Sequence, residues 1–182
     1  MRTKDSSDPD RDRPASRILV VGNAGTGKST LARRLAALTG LPVVHLDQHY
    51  WRPGWDATPT ELWRQRVAQL VEQPRWVMDG NYAGTLDLRV RAADLVVFLD
   101  LPRRTALSRV VLRRYGWLGH ARAEPIPGCP DRVTTDFLRW IWHYPRVGRV
   151  QVLTAVTTAG AQDRLIRLTS RRATRRWLRS LT

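Results

Sequence analysis

Residues 17–29, RILVVGNAGTGKS, constrain this chain more than any other stretch. Arg17–Gly22 is a short β-branched run suited to a strand buried on both faces. It leads directly into Gly22-Asn23-Ala24-Gly25-Thr26-Gly27-Lys28-Ser29. After that, Leu31, Leu35 and Leu38 recur at helical spacing as far as a stop at Gly40. The eight residues fit G-x-x-x-x-G-K-[ST] completely. Glycines let backbone N–H groups turn inward around a chain of phosphates, where a Cβ would obstruct them. The helix that follows adds unpaired N–H donors and the positive end of its dipole. Lys28 is placed to reach the β- and γ-phosphates, and the Ser29 hydroxyl to ligate Mg²⁺. With Thr30 in the first helical turn, residues 22–30 read as a cradle for ATP or GTP with magnesium.

The 182 residues have the length of one compact domain, and 42% hydrophobic content is enough for a core. Residues 1–16 carry Asp, Arg, Ser and Pro with no apolar anchor and read as a disordered tail. Further strands are expected at residues 42–47, 75–79, 94–101 and 150–156. Helices are expected from Thr58-Pro59-Thr60-Glu61, which has the form of a capping box, to about Gln73, and over residues 86–93, 103–114, 131–143 and 162–168. Strands alternating with helices imply an α/β domain with a mainly parallel sheet, over residues 17–170. Residues 115–130 read as an irregular loop, and residues 171–182 as a basic terminal helix or arm. The longest apolar runs fall far short of the roughly 20 residues a membrane span needs. A single cysteine, Cys129, excludes an internal disulfide framework and makes a reducing cytoplasm the expected compartment.

Ligands of parallel α/β sheets lie beyond the carboxyl ends of the strands, and three expected strands end in aspartate: Asp47, Asp79 and Asp100. Asp79, after Trp76-Val77-Met78, suits Mg²⁺ binding beside the phosphate loop. Asp47 would stand across the cleft, orienting an acceptor hydroxyl. Each also reads as a turn or capping aspartate. His49, Tyr50, Trp51 and Trp55 surround Pro53-Gly54, where rings either stack an acceptor or cover the core.

The net charge of +15 is unevenly placed: residues 103–182 hold 17 basic and 4 acidic groups. Such asymmetry admits an anionic partner such as nucleotide phosphates, nucleic acid or an acidic surface. With 29 of the 31 cations being arginine, a GC-rich genome accounts for the bulk equally well. Arg109 and Arg113, four residues apart on one helix, share a face and can close on phosphate oxygens. Arg171, Arg172, Arg175, Arg176 and Arg179 read as a solvated helix or as a nucleic-acid contact.

With these residues in view, the chain resembles a small P-loop kinase of the adenylate-kinase-like group, most closely the DNA topology modulation proteins. The matching segments are VVGNAGTGKST (20–30), HLDQHYWRPGW (45–55), WVMDGNYAGTLDLR (76–89), DLVVFLDLPR (94–103) and residues 128–145, covering most of residues 17–156. The resemblance implies a three-layer P-loop NTPase sandwich whose five-stranded parallel sheet runs in the order 2-3-1-4-5. It also implies MgATP as donor, a short lid over about 103–130, and lid arginines at Arg109, Arg113 and Arg114. It places Arg89 on an acceptor anion, Thr158 beside the adenine, and Trp51 and Asn81 with Asp47 on the acceptor side. Asp79-Gly80-Asn81-Tyr82-Ala83 replaces the D-G-F-P-R of true adenylate kinases, so the resemblance does not extend to AMP as acceptor.

Two functions follow as expectations. One is phosphoryl transfer from MgATP to a nucleotide or small hydroxylated acceptor, with Lys28, Asp47, Asp79, Arg109 and Arg113 carrying the chemistry. The other is a nucleotide-binding regulator or nucleic-acid-binding ATPase with little kinase activity.

Overall fold

The computed structural model describes residues 15–114, 126–130 and 132–181. Residues 1–14 of the expected tail, residues 115–125 of the expected lid loop and the side chain of Arg114 lie outside the described residues.

Five parallel strands form the central sheet: β1 (Arg17–Gly22), β2 (Val43–His45), β3 (Trp76–Asp79), β4 (Leu95–Leu99) and β5 (Leu165–Leu168). They lie side by side in the order β2-β3-β1-β4-β5, which is the expected 2-3-1-4-5. The register pairs His45 with Asp79 and Gly22 with Leu99, so the carboxyl ends of β1 to β4 converge on one edge. Alternation along β1 sends Leu19 and Val21 to one face and Ile18 and Val20 to the other.

Helices cover both faces. α1 (Lys28–Thr39) and α8 (Arg171–Arg179) bury Leu31, Leu35 and Leu178 against Ile18, Val20 and Val97. On the other face α3 (Thr60–Glu72), α4 (Leu86–Ala92) and α7 (Gly148–Thr158) bury Trp63, Val67, Val90, Val152 and Val156 against Trp76, Met78 and Phe98. Trp76, Met78 and Phe98 are fully buried. At about 1.5–3 kcal/mol for each large side chain buried, the central strands are a firm base for the loops at their ends. A short α2 (Leu46–Tyr50) follows β2 and leads into a hairpin of Trp51–Arg52 with Asp56–Ala57. α5 (Arg103–Arg114) and α6 (Thr135–His143) pack on each other through Ala106, Val110 and Ile141.

Two expectations are corrected. Residues 150–156 are not the fifth strand; they lie inside α7, and β5 comes from residues expected to be helical. Burial in α7 falls on Gly148, Val152 and Val156, four residues apart, while Val150 is 54% exposed, so helical burial outweighs β-branched propensity. The capping box at Thr58 does not form: the Thr58 backbone N–H and hydroxyl both donate to Tyr50 O, and α3 begins after Pro59 without a side-chain cap. Among the described residues no helix is long and apolar enough to cross a membrane.

Candidate functional site

β1 delivers the glycine-rich loop to the carboxyl edge of the sheet, where it is folded tightly on itself. Asn23 is its hub. The Asn23 carbonyl accepts from the Thr26 hydroxyl at 2.7 Å and from Lys28 Nζ at 3.0 Å. Its side-chain amide donates to Ile141 O and accepts from the Ala24 N–H, tying the loop to α6. Asn23 is therefore occupied structurally through both its side chain and its carbonyl. Gly25 has φ +75°, and a Cβ there would run into the Ala106 carbonyl and Val110 of α5. Gly27, at φ +96°, caps α1 and faces the Arg109 guanidinium, which a Cβ would approach to 3.0 Å. Only glycine meets both demands. Thr30 is exposed on the first turn of α1.

Beside the loop, Ser29 Oγ donates to Asp79 Oδ2 at 2.7 Å, while Asp79 Oδ1 lies 2.5 Å from His45 Nδ1. Asp79 is only 4% exposed, and these partners fix its orientation. The composition pattern did not single out His45. The signal that would have found it is the pairing of β2 with β3, which puts the last residues of both strands opposite each other. Asp47, on α2 rather than at a strand end, accepts from the Tyr82 hydroxyl at 2.7 Å. Asp100 is buried and takes Arg149 Nε at 2.9 Å and Arg167 Nε at 2.9 Å, so it ties α7 and β5 to the end of β4.

A hydroxyl and a carboxylate held 2.7 Å apart beside the glycine-rich loop are hard oxygen donors that suit Mg²⁺, which takes one or two protein oxygens and completes its shell with phosphate and water. No cluster of three His, Cys, Asp or Glu among the described residues offers an all-protein cage.

Arg109 Nη1 donates to Thr26 O at 3.1 Å, which lays α5 along the loop. Burial, then the charges of Arg171 and Arg113, holds the Arg109 guanidinium below its usual range. Arg113 stands partly buried one turn along α5. Arg109 thus has cations gathered around it, an arrangement suited to anionic oxygens.

Two residues suggested by the resemblance lie elsewhere. Arg89 does not face an acceptor. It is fully buried and donates to the carbonyls of Thr85, Gly80, Asn81 and Tyr82 at 3.2, 2.9, 3.0 and 2.6 Å, and burial pushes its guanidinium down to about 9. These bonds hold the turn between β3 and α4. Thr158 does not seat a base after the fifth strand. It ends α7 and lines a groove of about 460 Å³ between α4 and α7, with Gly84, Asp87 and Val150. The groove is a furrow between these helices and the turn before α4, and its lining includes no residue of the glycine-rich loop.

Of the residues expected on the acceptor side, Trp51 packs in a cluster of rings around Tyr50. The Tyr50 ring meets Trp51 at 4.8 Å, Trp63 at 5.0 Å and Tyr82 at 4.6 Å, and Trp51 meets Trp55 at 5.4 Å. Trp63 is buried, while Trp51 and Trp55 stay partly open. Asn81 Oδ1 accepts from the Tyr144 hydroxyl at 2.9 Å, and burial, then Asp100, pushes that hydroxyl's pKa far upward. Residues 126–130 close over the hairpin: Gly54 N donates to Gly128 O at 2.8 Å and Trp55 Nε1 to Pro130 O at 3.0 Å.

No protein-family model matches the sequence, and no curated protein matches it either. Solved structures match the fold. Shikimate kinase from Acinetobacter baumannii, in complex with shikimate, superposes with a TM-score of 0.59 at 18% identity, over 94% of this chain and 93% of that one. Shikimate kinase from Bacteroides thetaiotaomicron gives 0.52 at 17% identity, over 92% and 97%. The likeness is one of fold: a five-stranded parallel sheet between helices, shared with these two shikimate kinases.

Proposed function

We propose that the protein transfers the γ-phosphoryl group of MgATP to the hydroxyl of a small acceptor. The observation that carries this reading is the Ser29–Asp79 contact at the foot of the glycine-rich loop, with Arg109 laid against that loop from above. It is supported by a fold shared with kinases and by the resemblance of residues 45–55 and 78–82 to the DNA topology modulation proteins.

In this reading the N–H groups of Gly25, Gly27, Lys28 and Ser29 and the Lys28 ammonium hold the β- and γ-phosphates. Ser29 and Asp79 hold Mg²⁺, which neutralises charge on the phosphate oxygens when bound. His45 keeps Asp79 turned toward Ser29. Asp47 accepts a hydrogen bond from the acceptor hydroxyl and directs it toward phosphorus. A bond forms from that oxygen to the γ-phosphorus, the bond to the ADP oxygen breaks, and the hydroxyl proton leaves toward Asp47. Arg109 and Arg113 offer guanidinium forks to the oxygens that gain charge. Catalysis is then positioning plus charge neutralisation.

The acceptor fits a hydroxylated molecule bearing a ring, since Trp51 and Trp55, in the hairpin that follows the helix of Asp47, stay partly open, with Arg132 over the Trp55 ring, while Arg89 is spent on carbonyls. Incubating the protein with labelled ATP and separate nucleosides, nucleotides and polyhydroxylated metabolites tests the reading. Transfer of label to one class supports it. No transfer to any acceptor, with ATP binding intact, overturns it in favour of a nucleotide-binding regulator.

A further inference from the structure

The charge asymmetry of the sequence becomes a spatial one in the fold. α1 and α8 lie on the same face of the sheet and share one core cluster. Between them they carry Lys28, Arg33, Arg34, Arg171, Arg172, Arg175, Arg176 and Arg179, and no acidic residue. The opposite layer is mixed, with Glu61 and Glu72 on α3 and Asp87 on α4 among its arginines. A genome-wide preference for arginine raises the number of cations; it does not strip one helix layer of carboxylates.

The arrangement on α8 is specific. Arg172, Arg175, Arg176 and Arg179 recur at intervals of three and four and are exposed, so they form one outward stripe. Ala173, Trp177 and Leu178 turn the other way into the core. Arg171 and Arg172 occupy the first turn, where the helix dipole disfavours cations. At its upper end, the charge of Arg171 bears on Arg109.

We infer that the α1–α8 face docks the phosphate backbone of a nucleic acid. From Arg172 to Arg179 the stripe runs about 10 Å along the helix, a length over which one strand of a duplex presents about three phosphates. The exposed residues of both helices offer guanidinium groups and no Asn, Gln or aromatic side chain, a set that can serve phosphate oxygens on any base sequence. A membrane surface fits less well, because an interfacial helix needs an apolar face for the bilayer and α8 spends its own on the core. This inference stands apart from the proposed phosphoryl transfer and needs no turnover.

The test is fluorescence anisotropy of the full chain with labelled mixed-sequence duplexes, without ATP, across a salt series. The expected result is micromolar binding whose logarithm falls steeply with log salt, at roughly one unit of slope per phosphate contact. The combined change Arg172→Glu, Arg175→Glu, Arg176→Glu is expected to lower the slope by about three. Arg→Lys at the same positions should retain the binding, and Arg91→Glu with Arg146→Glu, off this face, should leave it unchanged. A wild-type slope shallower than about two, or equal binding by the Glu and Lys variants, overturns the inference. So does binding to anionic phosphatidylserine vesicles in place of nucleic acid. If the Glu variant fails to fold, the wild-type slope and the Lys variant decide.

Discussion

His45 Nδ1 and Asp79 Oδ1 stand 2.5 Å apart across paired strand ends, and the other Asp79 oxygen accepts the Ser29 hydroxyl. A carboxylate gripped from both sides cannot swing away from the loop. Removing an outer partner of a metal-binding carboxylate typically costs about 10–100-fold in metal affinity or activity. His45→Ala is therefore expected to lower kcat by that factor and raise the Mg²⁺ concentration needed for half-maximal rate. Steady-state assays across a magnesium series check this. An unchanged magnesium dependence would mean that the imidazole merely fills space.

Lys28 reaches back over the loop to Asn23 O. It is the cation nearest the expected phosphates on the loop itself, and its side chain contributes nothing to the apolar core. Lys28→Ala should cut ATP turnover by about 10²–10³-fold while leaving the thermal melt near wild type. Calorimetry with ATP and magnesium distinguishes lost binding from lost chemistry. Wild-type turnover would remove the assignment of the loop.

Arg89 offers a sharp contrast between the role implied by resemblance and the role seen. Its donors satisfy carbonyls of the β3–α4 turn inside the protein. Arg89→Leu would leave these acceptors buried and unpaired, at about 1–3 kcal/mol for an unsatisfied group. A loss of roughly 3 kcal/mol or more in denaturant unfolding is expected, with ATP affinity of the surviving folded protein unaltered. A stable variant with a raised KM for the acceptor would restore the anion-binding role.

His49 lies half-buried on α2, and burial, then Arg66 and His45, lowers its pKa from 6.5. In the window between that lowered value and 6.5 the unfolded chain binds more protons than the folded one. Stability therefore rises with pH through this window and is lost as pH falls below about 6.5. Urea midpoints measured from neutral to mildly acidic pH should decline in wild type and decline less in His49→Gln. Parallel declines would place the acid sensitivity elsewhere.

These cases show why some of the molecule was readable in its sequence. The loop, β1 and β4 announce themselves because local rules act together there: a buried β-branched run, glycines where Cβ atoms do not fit, and a helix start. The order of the sheet also followed, through resemblance. β5 was hidden because its four residues, LIRL, carry little pattern, while VQVLTAV in α7 looks like a strand. His45 and Arg89 were hidden for another reason. Whether a polar side chain faces a ligand or a backbone carbonyl depends on partners 34 residues away for His45 and four to nine away for Arg89. Spacing in one sequence does not carry that information.

Backbone strain and steric conflict at the glycine-rich loop are separable at two glycines. Gly25 and Gly40 both adopt left-handed conformations, at φ +75° and +67°. Around Gly40, the C-terminal stop of α1, nothing lies within 4 Å of the position a Cβ would take, whereas at Gly25 that position collides with the Ala106 carbonyl and Val110. Gly40→Ala should therefore cost only the conformational term, about 1 kcal/mol. Gly25→Ala bears the same term and must also push α5 off the loop, separating Arg109 from Thr26. Its cost is expected to exceed that of Gly40→Ala by about 1–3 kcal/mol, and its KM for ATP should rise while that of Gly40→Ala stays put. Equal melting temperatures and equal KM values in the two variants would mean that α5 does not rest on the loop in solution.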